Sequence, residues 1–100
     1  MGERVAVVTG GAQGIGRQTS ELLAERGYRI AIIDLREPQA TVAAIEARNA
    51  DAFGFAGDIT KEDVVESFAQ TVLKRFGRVD VLVNNAGISL IRAAEETTAA

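Results

Sequence analysis

Glycine is concentrated in one short segment near the start of the chain, between an apolar run and a stretch with helical periodicity. Residues 9–16 read TGGAQGIG and follow the run VAVV at residues 5–8. A turn between a buried strand and a helix presents backbone N–H groups at the helix N-terminus, where they can bind phosphate oxygens. A side chain would block that approach, so glycine is needed where the backbone comes closest. The segment therefore predicts a site for a phosphate-bearing nucleotide.

The glycine spacing separates this segment from two common phosphate-binding motifs. A P-loop requires Gly-Lys and then Ser or Thr, whereas counting from Gly11 gives Gly16, Arg17 and Gln18. The common dinucleotide fingerprint Gly-x-Gly-x-x-Gly begins at Gly14 but reaches Thr19 where its last glycine belongs. The spacing present is Thr-Gly-x-x-x-Gly-x-Gly.

Polar side chains follow each of the later apolar runs. These are Asp34 after residues 29–33, Asp58 after residues 52–55, and Asn84-Asn85 after residues 79–83. A carboxylate about 20 residues after a glycine turn is placed to accept hydrogen bonds from both hydroxyls of a ribose. Two alternatives stay open: Asp58 could serve helix entry through Asp-x-Thr, and the asparagines could be ordinary turn residues.

The elements that must position these residues alternate strictly between strand and helix. Predicted strands cover 5–8, 29–33, 52–55 and 79–83, and predicted helices cover 15–26, a segment opening at Pro38, and a long segment between Thr60 and Gly77. Thr60 is the predicted N-cap and Gly77 the predicted left-handed C-cap of the last helix. The predicted apolar stripes are Ile15, Leu22 and Leu23; Val42, Ala43 and Ile45; and Val64, Val65, Phe68, Val72, Leu73 and Phe76. Right-handed crossovers then give an α/β fold, a parallel sheet with helices on both faces.

Composition excludes several classes of function. The 100 residues suffice for one small domain, and a net charge of -3 with scattered basic residues gives no footprint for nucleic acid. The chain has no Cys and no His, which removes thiolate zinc sites and the commonest metal ligand and general base, so no metal site is predicted. No apolar run approaches the roughly 18 residues of a membrane span, and the few residues before the first strand leave no room for a signal peptide. A response-regulator-like domain would need an acidic pocket after the first strand, where this chain has Thr9-Gly10-Gly11.

Taken together, the glycine segment, Asp34, Asp58 and Asn84-Asn85-Ala86-Gly87 resemble the short-chain dehydrogenase/reductase family. The resemblance covers essentially the whole chain. It implies a Rossmann-type doubly wound parallel sheet of order 3-2-1-4, truncated after four strands. Residues 1–100 would be the NAD(P)-binding domain, the N-terminal portion of a longer one. The implied cofactor-binding residues are Thr9, Gly10, Gln13, Gly14, Ile15, Gly16, Asp34, Leu35, Asp58, Ile59, Asn84, Asn85, Ala86 and Gly87.

The charges near the predicted ribose site favour NAD over NADP. A carboxylate such as Asp34 repels a 2′-phosphate and accepts a hydrogen bond from a free 2′-hydroxyl. Arg36 is the dissenting feature, because an arginine nearby can pair with that phosphate. No basic residue lies inside the glycine segment before Arg17. We therefore expect NAD(H) as the cofactor, with NADP as the less favoured one.

The catalytic residues of the resembled family cannot be assigned in this chain. The family uses a Tyr-x-x-x-Lys pair with an upstream Ser. The single tyrosine of this chain is Tyr28, and the residue four positions later is Ile32 instead of lysine. The only lysines, Lys61 and Lys74, do not fit this spacing. The resemblance implies a homo-oligomeric (dimeric or tetrameric) oxidoreductase that acts on a small-molecule alcohol or carbonyl. The absent targeting signals and the cofactor predict a cytoplasmic location, and the missing catalytic residues predict that this chain is inactive alone. The alternative is a non-catalytic dinucleotide-binding module or sensor. Stopping after the fourth strand would also leave an apolar edge at Val81–Val83.

Overall fold

The computed structural model describes residues 4–85, which form four strands and three helices in alternation. The elements are β1 (Val5–Thr9), α1 (Gly14–Glu25), β2 (Arg29–Asp34), α2 (Gln39–Glu46), β3 (Ala52–Ala56), α3 (Glu62–Phe76) and β4 (Val81–Asn84). All strand pairs are parallel and the order is β3-β2-β1-β4. The predicted α/β fold and strand order are confirmed. None of these three helices is long and apolar enough to cross a membrane.

The sheet separates two apolar cores, because successive side chains of a strand point to opposite faces. On one face Val5 and Val7 of β1 pack with Phe68, Val72 and Phe76 of α3. The other face carries the alternate strand residues together with α1 and α2; its buried members are Ala6, Val8, Ala24, Ile30, Ile32, Val42, Ile45 and Ala52. Since β1 is buried along its whole length, its uninterrupted apolar sequence is explained.

The buried face of α1 differs from the predicted stripe. Ile15 is 74% exposed and Leu22 is 49% exposed, and only Leu23 of the predicted set packs against the core. The buried residues of α1 are Gly16, Ser20 and Ala24, at spacings of four. Small side chains on this face let the helix backbone approach the strands closely, so the largest apolar residues point elsewhere.

The entry to α3 also corrects a prediction. Thr60 is not its N-cap: Lys61 occupies that position and makes no side-chain capping bond. The Thr60 backbone N–H and hydroxyl instead donate to Oδ1 of Asp58, at 2.9 and 2.7 Å. Thr60 therefore stabilises the short Asp-x-Thr turn instead of capping α3. At the other end, Gly77 has φ +80° and forms the predicted left-handed C-cap.

The last strand begins at Val81 rather than Val79, which is 48% exposed. Asp80 comes immediately before it and joins β4 to the start of β1. Its Oδ2 accepts the Val5 N–H at 2.8 Å, and its own N–H donates to the Val5 carbonyl at 2.9 Å. Arg78 pairs with the same carboxylate through Nη2 at 2.7 Å. These bonds set the register of β4 on β1.

Candidate functional site

The glycine segment forms the connection from β1 to α1, as predicted. Gly10 and Gly14 have φ +68° and +62°, a backbone region in which glycine carries no steric penalty. Gly16 is buried, and a Cβ on it would lie 1.9 Å from the Gly10 carbonyl oxygen. The first turn of α1 therefore rests directly on the turn before it. This contact leaves no space for any side chain at residue 16.

The start of α1 carries no group that would compete with an anion for its free N–H groups. Gln13 occupies the N-cap position without a side-chain capping bond, and no acidic residue lies in the first turn. The first N–H groups of a helix have no partner within the helix and favour negative charge. The local geometry thus fits a phosphate group at this end of α1.

Asp34 lies at the carboxyl end of β2, and its side chain reaches the glycine turn. Its Oδ2 accepts the Ala12 N–H at 2.9 Å, and its Oδ1 accepts the Arg36 N–H at 3.0 Å. A carboxylate has about four lone-pair positions, so it can accept further hydrogen bonds. The acid and the turn, more than 20 residues apart in sequence, form one site.

Thr41 of α2 is a member of this site that sequence reasoning missed. It is 0% exposed, and its hydroxyl donates to the Gly11 carbonyl at 2.8 Å and lies 3.2 Å from the Ala12 carbonyl. A single threonine in a helix carries no spacing signal, so the pattern gave no reason to single it out. A buried hydroxyl requires a partner, so a threonine in the first turn of α2, the second helix after the glycine turn, is the feature to search for.

The end of β4 is tied to the same turn through Thr9. The Thr9 hydroxyl donates to Oδ1 of Asn84 at 2.9 Å and accepts the Asn85 N–H at 2.9 Å. The Asn85 side-chain nitrogen also lies 2.9 Å from the position of a Cβ on Gly16. Both asparagines therefore brace the turn. Ala86 and Gly87, also predicted to contact the cofactor, lie outside the described residues.

Asp58 reaches the same edge of the sheet through the end of β3. The neighbouring Gly57 N–H donates to the Asp34 carbonyl at 2.9 Å. The Thr60 hydroxyl bond, followed by the Thr60 backbone N–H, lowers the pKa of Asp58 below its usual range. The carboxylate is therefore ionised at neutral pH. Because both bonds use Oδ1, Oδ2 has lone pairs for a further donor.

The other predicted residues, Gln13, Ile15, Leu35 and Ile59, differ in what they offer to a ligand. The guanidinium of Arg36 lies beside Gln13, with Nη1 3.4 Å from Oε1. Leu35 is 72% exposed, so its side chain is accessible to a ligand, as is that of Ile15. The Ile59 side chain belongs to the core with Phe68 and Val72, so only its backbone can serve a ligand.

Tyr28 lies away from the glycine turn. It precedes β2, and the guanidinium carbon of Arg4 is 4.8 Å from its ring centroid. Both residues come before their strands, whereas the turn, Asp34 and Asn84 come at strand ends. In a parallel sheet those are opposite edges, so Tyr28 contributes nothing to this site.

Comparison with known proteins finds dehydrogenases among the relatives of this chain. Residues 4–100 match the family model of the short chain dehydrogenases. The chain is 46% identical over 99 residues to an L-2,3-butanediol dehydrogenase of Corynebacterium glutamicum, covering 95% of this chain and 38% of that protein. It is 35% identical over 94 residues to an NAD-dependent glycerol dehydrogenase of Listeria innocua, covering 94% of this chain and 37% of that protein.

Solved structures show the same likeness. A hydroxysteroid dehydrogenase from Escherichia coli superposes with a TM-score of 0.81 at 31% identity, covering 84% of this chain and 37% of that one. A metagenomic short-chain oxidoreductase in complex with NADP gives 0.79 at 38% identity, covering 85% and 39%. The chain thus spans well under half the length of these relatives. The match over residues 4–100, on a sheet of order β3-β2-β1-β4 with this glycine turn, shows that the chain belongs to the short-chain dehydrogenase family.

Proposed function

We propose that this chain is the dinucleotide-binding part of an NAD-dependent oxidoreductase that acts on an alcohol or carbonyl substrate. The observation that carries the proposal is the 2.9 Å bond between the Asp34 carboxylate and the Ala12 N–H. It joins the acid proposed to bind the ribose to the turn proposed to bind the pyrophosphate. Two dehydrogenases among the relatives, one described as NAD-dependent, support the same reaction class.

The residues of the site fit a dinucleotide part by part. The N–H groups at the start of α1 would hold the pyrophosphate against the closely packed Gly10 and Gly16. Asp34 would accept hydrogen bonds from the adenosine ribose, and Asp58 would serve as a further acceptor at the same edge. When bound, the nicotinamide supplies the hydride acceptor or donor. The residues of this site would bind the ADP-ribose part of the cofactor.

The preference for NAD rests on the charge of Asp34. A ribose 2′-phosphate placed beside this carboxylate would be repelled, whereas a 2′-hydroxyl would donate to it. Arg36 would offset part of that repulsion, but its side chain already lies beside Gln13. The net balance favours NAD, with NADP binding more weakly.

The first experiment compares NAD and NADP binding to the chain by titration calorimetry. We expect NAD to bind about tenfold more tightly, a difference of roughly 1.4 kcal/mol. Asp34→Ser should narrow the ratio of the two dissociation constants toward one, because the repulsion and the 2′-hydroxyl acceptor are both lost. Asp51 is an exposed acid just before β3, so Asp51→Ser is the matched control and should leave the ratio unchanged. An unaltered ratio in Asp34→Ser would contradict the NAD assignment.

Binding without turnover is the behaviour proposed for residues 1–100 taken alone. Their one tyrosine, Tyr28, lies away from the site, and the lysines Lys61 and Lys74 are at the ends of α3. Mixing the chain with NAD and an alcohol should therefore give no NADH absorbance. The absence of an assignable catalytic Tyr and Lys from these 100 residues also supports a second candidate function, a non-catalytic dinucleotide-binding module. A Ser and a Tyr-x-x-x-Lys sequence in the rest of the gene would favour the enzyme over the binding module. Turnover by these 100 residues would contradict the proposal that they bind the dinucleotide without catalysing the reaction.

A further inference from the structure

One peptide unit of the glycine turn is held at both ends by side chains from different elements. The carbonyl of the Gly11–Ala12 peptide accepts the Thr41 hydroxyl at 2.8 Å, and its N–H donates to the Asp34 carboxylate at 2.9 Å. Rotating this peptide plane would break both bonds together. The conformation of the turn and the position of the Asp34 carboxylate are thus coupled through a single peptide.

The Thr41 side chain is committed to this contact. It is 0% exposed, and the nearest carbonyl acceptor is 30 residues earlier in sequence rather than in its own helix. Without this bond, the buried hydroxyl would keep only the longer 3.2 Å contact with the Ala12 carbonyl, and a buried polar group with poor hydrogen bonding destabilises the fold. The neighbouring Val42 and Ile45 already anchor α2 in the apolar core. The hydroxyl of Thr41 therefore serves the turn, not the packing of the helix.

From this geometry we infer that Thr41 is a positioning residue for dinucleotide binding. Its hydroxyl fixes the Gly11–Ala12 peptide, so that the turn and the Asp34 carboxylate face the ADP-ribose moiety in one arrangement. The Ala12 N–H is already bonded to Asp34, which leaves the phosphate oxygens to the N–H groups at the start of α1. This inference rests on the proposed function, because a ligand with both pyrophosphate and ribose is what requires the two groups to be held together.

The test uses the full chain and ADP-ribose as the probe. Thr41→Val keeps the shape of the side chain and removes the hydroxyl, whereas Thr41→Ser keeps the hydroxyl and removes a methyl group. We expect Thr41→Val to weaken ADP-ribose binding about five- to tenfold, the worth of one buried hydrogen bond, and Thr41→Ser to bind as the parent chain does. Thr71→Val is the matched control, since the Thr71 hydroxyl donates to the Ser67 carbonyl within α3 at 2.9 Å. It should leave the affinity unchanged.

Amide hydrogen exchange separates positioning from general stability. Loss of the hydroxyl should accelerate exchange of the Ala12 N–H selectively, with the amides of β1 and β2 unaffected. Wild-type affinity in Thr41→Val, or an equal rise in exchange at all amides, would overturn the inference. If Thr41→Val did not fold, Thr41→Ser would provide the test. Because Thr41→Ser keeps the hydroxyl, loss of both Ala12 protection and ADP-ribose affinity in that variant would contradict the inference. Failure of the parent chain to bind ADP-ribose would instead refute the proposed function, while Ala12 exchange would still test the Thr41 contact.

Discussion

At the residue scale, the site depends most directly on the missing side chain of Gly16. An added Cβ would lie 1.9 Å from the Gly10 oxygen and 2.7 Å from the Gly10 carbon, both backbone atoms. Gly10 cannot move aside easily, since its N–H donates to the Ile33 carbonyl at 2.8 Å. Any substitution must therefore push the start of α1 away from the turn.

Gly16→Ala should abolish measurable dinucleotide binding and lower the free energy of unfolding by roughly 2 kcal/mol or more, as overpacking does. Gly77→Ala provides the control, because φ is +80° there but a Cβ would meet nothing within 4 Å. That variant should lose only about 1 kcal/mol through backbone strain and bind the dinucleotide normally. Chemical denaturation and calorimetry measure both quantities. A Gly16→Ala chain that bound as tightly as the Gly77→Ala chain would contradict the close-contact interpretation.

Residues that act at strand ends were accessible to sequence reasoning, whereas residues that act through tertiary contacts were not. The positions of Asp34 and Asn84 at one edge of the sheet could be predicted, because both residues close apolar runs and a parallel sheet gathers such ends. Thr41 could not, since its acceptor is 30 residues away in sequence. Thr60 was misassigned because Asp58, two residues earlier, competes for its N–H and hydroxyl.

At the element scale, the junction between β1 and β4 is set by charge as well as by backbone pairing. The Asp80 carboxylate accepts a hydrogen bond from the N–H of Val5, the first residue of β1, and forms an ion pair with Arg78. The Arg78 hydrogen bond, followed by the Val5 N–H, lowers the pKa of Asp80. The sequence prediction placed Asp80 inside a strand over residues 79–83, whereas Asp80 comes just before β4, so its role at the junction was missed.

The lowered pKa fixes the sign of a pH dependence. The ionised Asp80 contributes stability above its unfolded pKa of about 3.9, and this contribution is lost as pH falls through the lower folded pKa. Between about pH 6 and pH 2.5, the melting temperature of the parent chain should therefore fall more steeply than that of Asp80→Asn. The two curves should converge at the acid end. Asp58→Asn is the comparison variant, because the pKa of Asp58 is also lowered, but by hydrogen bonds within a local turn. Parallel curves of melting temperature against pH for Asp80→Asn and the parent chain would contradict the role assigned to Asp80.

The face of α1 shows why helix periodicity alone misplaces a contact. The predicted stripe chose the largest apolar residues, yet Gly16, Ser20 and Ala24 face the sheet. The close approach of Gly16 to Gly10 fixes the rotation of the helix, and Ile15 and Leu22 are then directed outward. Position in the turn, rather than hydrophobicity, decided the buried face.

At the scale of the whole molecule, alternation and strand order followed from the sequence because they depend on local patterns and on crossover handedness. The unequal burial of the strands follows from that order. β1 and β2 are central and almost wholly buried, whereas every residue of β4 is only partly buried. Among the described residues, β4 pairs with β1 alone. Within residues 4–85, Val81–Val83 therefore lie on an outer strand of the sheet. The bare edge stays a prediction.

Hydrogen exchange on the monomeric chain tests what this edge means for stability. Amides in central strands open only with global unfolding, whereas those at a poorly covered edge open locally. We expect the amides of β4 to exchange about tenfold faster or more than those of β1 and β2, because local opening there requires a smaller free energy. The opposite edge strand, β3, is the internal control, since Ala52 and Phe53 are buried and its amides should be better protected than those of β4. Protection of β4 equal to that of β1 would show that its pairing with β1 and the Asp80 contact are sufficient, and that the edge needs no further strand to be stable.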